Sequence, residues 1–237
     1  MTSLPRAAGA ERMDEPDQDP AELGRSLVDL QHVNRWLGGY RVVLHHLAAF
    51  VARHPRPEYR VLDVATGSAD IPLKVAAWAR SRGIRMHIVA TDNHPTTLEF
   101  ARRNAAGDAS VRVEAADALA LPYADDSFDF AICSTALHHF DAREDLLRVL
   151  GEMDRVARIA GLINDLRRSR PAYAGARLLA MTFWRRHPVT AHDGPLSVRR
   201  AFTRAELAEL ARAAGLPGAR AHRHEPFRVA LTWEREG

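Results

Sequence analysis

Five short apolar runs, separated mostly by helix-patterned stretches, constrain this chain more than any other feature. They are YRVLDVA (59–65), MHIVATD (86–92), VRVEAAD (111–117), FDFAICS (128–134) and GLINDL (161–166). Strands that alternate with helices pair side by side in one direction, because each helix carries the chain back across the sheet. The expected class is α/β, with a mostly parallel sheet. Helix punctuation agrees with it. Pro72 follows Asp70, read as an N-cap; Gly83 closes that helix and Pro95 opens the next. Asp141 with Glu144, and Thr203 with Glu206, are spaced as capping boxes.

The flanks read differently. Residues 1–20 carry Glu11, Asp14, Glu15, Asp17 and Asp19 among prolines and alanines with almost no apolar period, and are expected to be a disordered tail. From Pro20 a helix-spaced pattern runs to His54, broken at Gly38 and Gly39, which predicts two helices with a joint. The rest, 21–237, reads as one domain: a chain of 237 residues, 46% of them hydrophobic, is long enough to bury a sizeable core.

Charge and cysteine content exclude several classes. The net charge is only +3, from 33 basic and 30 acidic residues, a poor match to a nucleic-acid partner. Cys133 has no partner for an internal disulfide, and no apolar run reaches membrane-spanning length, so a cytoplasmic protein is expected. The first bend holds one glycine where a dinucleotide fold wants G-x-G-x-x-G. There is no phosphate-binding loop, no G-x-S-x-G elbow and no paired cysteine–histidine pattern, so no metal is expected.

Open parallel sheets bind ligands beyond the carboxyl ends of their strands. Here those ends carry an ordered series of acids: Asp63 with Gly67 at the first bend, Asp92 after the second run, Asp117 after the third, then Ser134 and Thr135 after the fourth. Gly67 permits close backbone approach, an acid such as Asp92 accepts from two ribose hydroxyls, and Asp117 suits an adenine amino group. The series describes an adenosine site.

VLDVATGSAD, ATDNH, AADALALPYADDSFDFAICSTALHHF and GLINDL resemble the successive motifs of class I S-adenosylmethionine-dependent methyltransferases, over about residues 59–166. The D-x-A-x-G-x-x-D bend is similar to that of the ubiquinone and menaquinone methyltransferases, with Ala65 and Ala69 where glycines are common. NRWLGGYRVVL (34–44), NDLRRSRPAY (164–173) and HDGPLSVRRAF (192–202) look like segments of methyltransferases that accompany bacterial type III polyketide synthases.

The resemblance implies a Rossmann-like, mostly parallel seven-stranded sheet with helices on both faces. An N-terminal helical cap (21–56), a cofactor-binding core (59–166) and an acceptor lid region (167–202) would divide it. S-adenosyl-L-methionine would be held by Asp63, Ala65, Thr66, Gly67, Asp70, Asp92, Asn93, Asp117, Ala118, Ser134 and Thr135. His139, His192 and Arg167 are the candidate catalytic residues, the histidines as bases and Arg167 as a partner for a phenolate or carboxylate. The implied acceptor is a small phenolic or polyketide-derived molecule, methylated on oxygen. Methylation of a ring carbon in a quinone or polyketide precursor, or cofactor binding without turnover, are the alternatives. The apolar stretch 172–184 would be the lid itself or the surface of a homodimer.

Overall fold

The computed structural model describes residues 4–15, 17–216 and 218–235. Its seven strands are β1 (Glu58–Val64), β2 (Arg85–Asp92), β3 (Val111–Ala115), β4 (Phe128–Ser134), β5 (Ala157–Leu166), β6 (Arg220–His224) and β7 (Arg228–Glu234). They form one sheet in the order β3-β2-β1-β4-β5-β7-β6. The first five are parallel, whereas β7 runs antiparallel to β5 and to β6. All five apolar runs are strands, and the chain order reverses direction at β1, between β2 and β4. That reversal opens a crevice at the carboxyl edge.

Alternation along each strand supplies both faces. On β4, Ala131 and Cys133 face a core shared with Leu146, Val149 and Leu150 of α5 (Arg143–Val156) and with Leu207 and Leu210 of α8 (Arg204–Ala213). Phe130 and Ile132 face the other way, onto Leu47 and Phe50 of α2 (Gly39–Arg53) and Val75 and Trp78 of α3 (Asp70–Arg80). A period-two pattern buried on both sides is what a central parallel strand requires. Helix α4 (Pro95–Ala105) packs beside α3. Helices α1 (Pro20–Trp36), α6 (Arg170–Met181) and α7 (Pro188–Arg200) gather over the carboxyl edge.

Several local expectations change. The Thr203–Glu206 capping box forms, but α5 starts after Ala142, and Asp141 instead accepts from the Gly9 N–H and pairs with Arg200. Asp70 is the first residue of α3 rather than its cap; its carboxylate accepts from Asn34 and Ser68. Helix α7 runs straight through the HDGP segment, with Pro195 inside it.

The N-terminal tail differs most. Residues 4–15 pack against the domain instead of being disordered, with residues 1–3 and 16 outside the described ones. Arg6 donates to the carbonyls of Arg200 at 2.7 Å and Phe140 at 3.0 Å. Asp193 accepts from the Arg12 and Met13 N–H groups, both at 3.0 Å. Polar anchoring holds this segment, and such anchors leave no apolar period in the sequence.

Away from the crevice, His46 on α2 lies buried against His222 and His224 of β6, with His45 alongside. Burial, reinforced by the neighbouring imidazoles and Arg53, holds the His46 pKa down at about 3. The unfolded chain takes up this proton near pH 6.5 and the folded chain does not, so stability falls as pH drops below 6.5. A single group of this kind removes about 2 kcal/mol between pH 6.5 and 5. Urea unfolding at those two pH values is expected to show that loss in the parent, and a much smaller one in His46→Leu.

Candidate functional site

Two adjoining cavities lie at the carboxyl edge. The first, of about 390 Å³, follows the bend after β1 and the end of β2. Asp63, Ala65, Thr66, Gly67, Asp70, Asp92, Asn93, Ser134 and Thr135 all line it. Nine of the residues expected to hold the cofactor are thus brought together from three segments of chain. Asp117 and Ala118 are not among the lining residues. The Asp117 carboxylate is exposed and accepts from the Leu119 N–H at 2.9 Å, which makes it a turn residue in this structure.

The backbone at the bends is unusual in a way that shapes this cavity. Ala65, Gly67, Ala69 and Thr135 have φ of 53°, 58°, 59° and 58°. Left-handed backbone costs a side-chain-bearing residue roughly 1–3 kcal/mol. Ala65 and Ala69 therefore adopt the conformations for which glycine is common in this motif, and the bend keeps its shape.

Asp92 organises the loops. Its Oδ2 accepts from the Gly67 N–H at 3.0 Å and its Oδ1 from the His94 N–H at 3.0 Å. Burial raises the pKa of this carboxyl, and these amide donors partly offset the effect. Asp63, nearly inaccessible at 3% exposure, is pushed up to about 7 by burial, with Asp70 and Asp92 adding to it. Asp63 Oδ1 and Thr66 Oγ1 are buried without hydrogen-bond partners. A ligand bearing donors and positive charge would satisfy both, and S-adenosylmethionine has an ammonium and a sulfonium. The residues present fit that cofactor.

The second cavity, of about 320 Å³, is lined mainly by apolar side chains, among them Leu30, Val33, Leu166, Ala176, Leu179, Trp184 and Phe227. Met13, Leu30, Thr135 and His139 line both cavities, so the two meet at those residues. Arg167 lines the apolar one; it donates to the Pro226 carbonyl at 2.9 Å, while its buried Nε has no partner. His192 lines neither. Its ring pairs with Asp193 at 2.7 Å and its side chain is 43% exposed, because the continuous helix turns it away from the cavities. That removes His192 as a candidate base.

His139 stands at the junction, at the end of a short 3-10 helix (Leu137–His139) that the sequence did not announce. Its Nδ1 pairs with Asp14 Oδ2 at 2.7 Å. Burial alone would lower its pKa, but the Glu11 and Asp14 carboxylates overcome that and lift it to about 9. His138 is fully enclosed, with its Nδ1 on Asp165 Oδ1 at 2.7 Å. Sequence reasoning missed Glu11, Met13 and Asp14, all from the supposed tail, and Arg200. Arg200 is buried and donates to the carbonyls of His138 and His139 at 3.0 and 2.7 Å.

Residues 62–164 match a family described as methyltransferase domain. This segment is a class I methyltransferase domain. S-adenosylmethionine is the cofactor of domains of this kind. The chain is 40% identical over 110 residues to demethylmenaquinone methyltransferase of Deinococcus radiodurans, covering 46% of this chain and 42% of that one. It is 31% identical over 115 residues to the ubiquinone/menaquinone biosynthesis C-methyltransferase UbiE of Rickettsia akari, covering 47% and 45%. It thus spans less than half the length of these curated relatives. A SAM-dependent methyltransferase from Aquifex aeolicus has the same fold, with a TM-score of 0.61 at 18% identity, over 91% of this chain and 98% of that one. The matched residues run from β1 to β5 and include the bends after β1, β2 and β4, whereas β6 and β7 lie outside them. The apolar cavity is walled largely by α1, α6 and α7, which lie outside the matched residues.

Proposed function

We propose that this methyltransferase acts on a small apolar ring compound bearing a hydroxyl, phenolic or polyketide-derived, and methylates it on oxygen. The observation that carries this reading is the junction of a polar cavity with an apolar one at Thr135 and His139. S-adenosylmethionine, when bound, supplies an electrophilic methyl group. The chain's residues do the rest: Asp63, Thr66, Gly67 and Asp92 hold the cofactor, with Ala65, Asp70, Asn93, Ser134 and Thr135 shaping its cavity. Leu30, Leu166, Ala176 and Leu179 exclude water around the acceptor ring. Bringing two reactants into alignment can by itself supply several kcal/mol of the barrier. His139 Nε2 at the junction is the hydrogen-bond partner for the reacting oxygen, and the unpartnered Arg167 Nε is a donor for a second ring oxygen.

Helix α6 serves as the lid. Ala172 and Ala176 face the cavity while Leu178 and Met181 on the same helix are more than half exposed, at 59% and 58%. Ala176→Phe would place a ring inside the apolar cavity. Acceptor turnover is expected to fall by at least about tenfold, with S-adenosylhomocysteine affinity unchanged. Unchanged turnover would mean that the acceptor lies elsewhere.

Ring-carbon methylation is the second reading, favoured by the similarity to quinone C-methyltransferases. It needs an enolate-like carbon in place of an oxygen nucleophile. Incubation with methyl-13C-labelled S-adenosylmethionine and a panel of phenols and hydroquinones separates the two, since product NMR distinguishes O-methyl from C-methyl carbon. No labelled product from any member of the panel would count against both.

A further inference from the structure

The junction between the two cavities carries a group of three side chains of which the proposed function uses only His139. Glu11, His138 and His139 each offer a ligand atom, and these atoms all lie within 4.8 Å of one another. Glu11 Oε1 is 3.5 Å from His138 Nε2, and Glu11 Oε2 is 3.9 Å from His139 Nε2. Ligands bound tetrahedrally at zinc-like distances stand roughly 3.3 Å apart, so only a small contraction is needed.

The surroundings of the three are those of a built site. Each imidazole has its Nδ1 on a carboxylate, His138 on Asp165 and His139 on Asp14, both at 2.7 Å, which leaves each Nε2 free to coordinate. A carboxylate behind a metal-binding histidine fixes its tautomer and strengthens it as a ligand. Glu11 is 1% exposed; Ser197 holds its Oε2 at 2.7 Å, while its Oε1 is buried with no hydrogen-bond partner. An unpartnered carboxylate oxygen sealed from water is costly unless something positive meets it. Arg200 is the fixed cation nearby, with Nε 3.9 Å from Glu11 Oε1, and its guanidinium nitrogens are spent on the carbonyls of Gly9, His138 and His139.

We infer that Glu11, His138 and His139 form a binding site for a divalent transition-metal ion of the zinc type, held where the cofactor and acceptor cavities meet. Two nitrogens and one carboxylate suit a borderline ion better than magnesium or calcium, which prefer all-oxygen sets. Three protein ligands leave a coordination position open toward the cavities. With the ion bound, His139 Nε2 is a ligand and the ion takes its place beside the acceptor oxygen, which it would help to hold deprotonated. Binding of the ion is inferred for the chain itself and does not depend on which acceptor is methylated. No pattern along the chain announces it, because Glu11 stands more than a hundred residues from the histidines and no short spacing links them.

The test uses the full chain, stripped with a chelator and desalted, titrated calorimetrically with zinc chloride in the absence of cofactor. One tight equivalent is expected. Glu11→Gln and His139→Gln should each weaken it at least about 100-fold, and Asp14→Asn about 10- to 100-fold. Cobalt titration should give a visible d–d absorption band that the same substitutions abolish. The separate cluster of His45, His46, His222 and His224 could also take zinc, so His224→Gln is the control and should leave the tight equivalent unchanged. Absence of a tight equivalent, its survival in Glu11→Gln, or its loss in His224→Gln would overturn the inference. S-adenosylhomocysteine binding, measured on every preparation, reports a folded cofactor site. Zinc failure with that binding intact removes the metal site and leaves the methyltransferase reading standing.

Discussion

Asp92→Ala is expected to lower the affinity for S-adenosylhomocysteine by at least about 100-fold while the protein stays folded. The carboxylate already accepts the N–H groups of Gly67 and His94, each at 3.0 Å. An ionised carboxylate offers about four acceptor positions, so roughly two remain for ribose hydroxyls. Hydrogen bonds to a charged group contribute about 1.5–3 kcal/mol each, and two of them reach 100-fold or more. The same substitution frees the Gly67 amide and loosens the bend, which adds to the loss. Asp92→Asn keeps the shape and one acceptor oxygen, and an intermediate loss is expected. Calorimetric titration checks both, with circular dichroism as the control for folding. An affinity within threefold of the parent in a folded Asp92→Ala would remove Asp92 from the cofactor site.

The second large effect concerns stability. Arg228→Leu is expected to cost about 3–5 kcal/mol. Arg228 is fully buried at the start of β7, and its guanidinium donates to Thr135 Oγ1 at 2.7 Å, Asn34 Oδ1 at 3.0 Å and the Leu37 carbonyl at 3.1 Å. Burial lowers its pKa to about 10, partly offset by Asp165 and Asp70, so it remains charged at neutral pH. One side chain thus ties α1 and the joint after it to the loop beyond β4, and Leu would leave three acceptors unpaired. Arg228→Lys keeps the charge and loses the planar fork, so a smaller loss is expected. Urea unfolding measures both. A loss under 1 kcal/mol for Arg228→Leu would show that water or neighbouring groups replace the fork. Since Thr135 lines both cavities, Arg228→Lys is also expected to weaken cofactor binding modestly; Arg228 is a positioning residue.

Much of the polar cavity is legible in the sequence. Asp63, Gly67, Asp92, Ser134 and Thr135 follow strands directly, and a parallel sheet delivers all its carboxyl ends to one edge, so their order in sequence becomes proximity in space. Asp117 fails that rule because β3 ends at Ala115 and the following turn uses the carboxylate for its own backbone. His192 misses the cavities for a different reason: α7 continues through Asp193, Gly194 and Pro195, and its turn carries the His192 ring outward.

The sequence by itself determined the fold class, the five parallel strands and nine of the residues that line the polar cavity, because strand period and strand-end chemistry are local properties. Only the tertiary structure decided the apolar cavity and its junction with the polar one. Their walls come from α1, α6, α7 and residues 4–15, whose side chains meet through polar anchors such as Asp193 with Met13 and Asp14 with His139. Contacts of that kind join residues more than a hundred positions apart, and no periodicity along the chain records them.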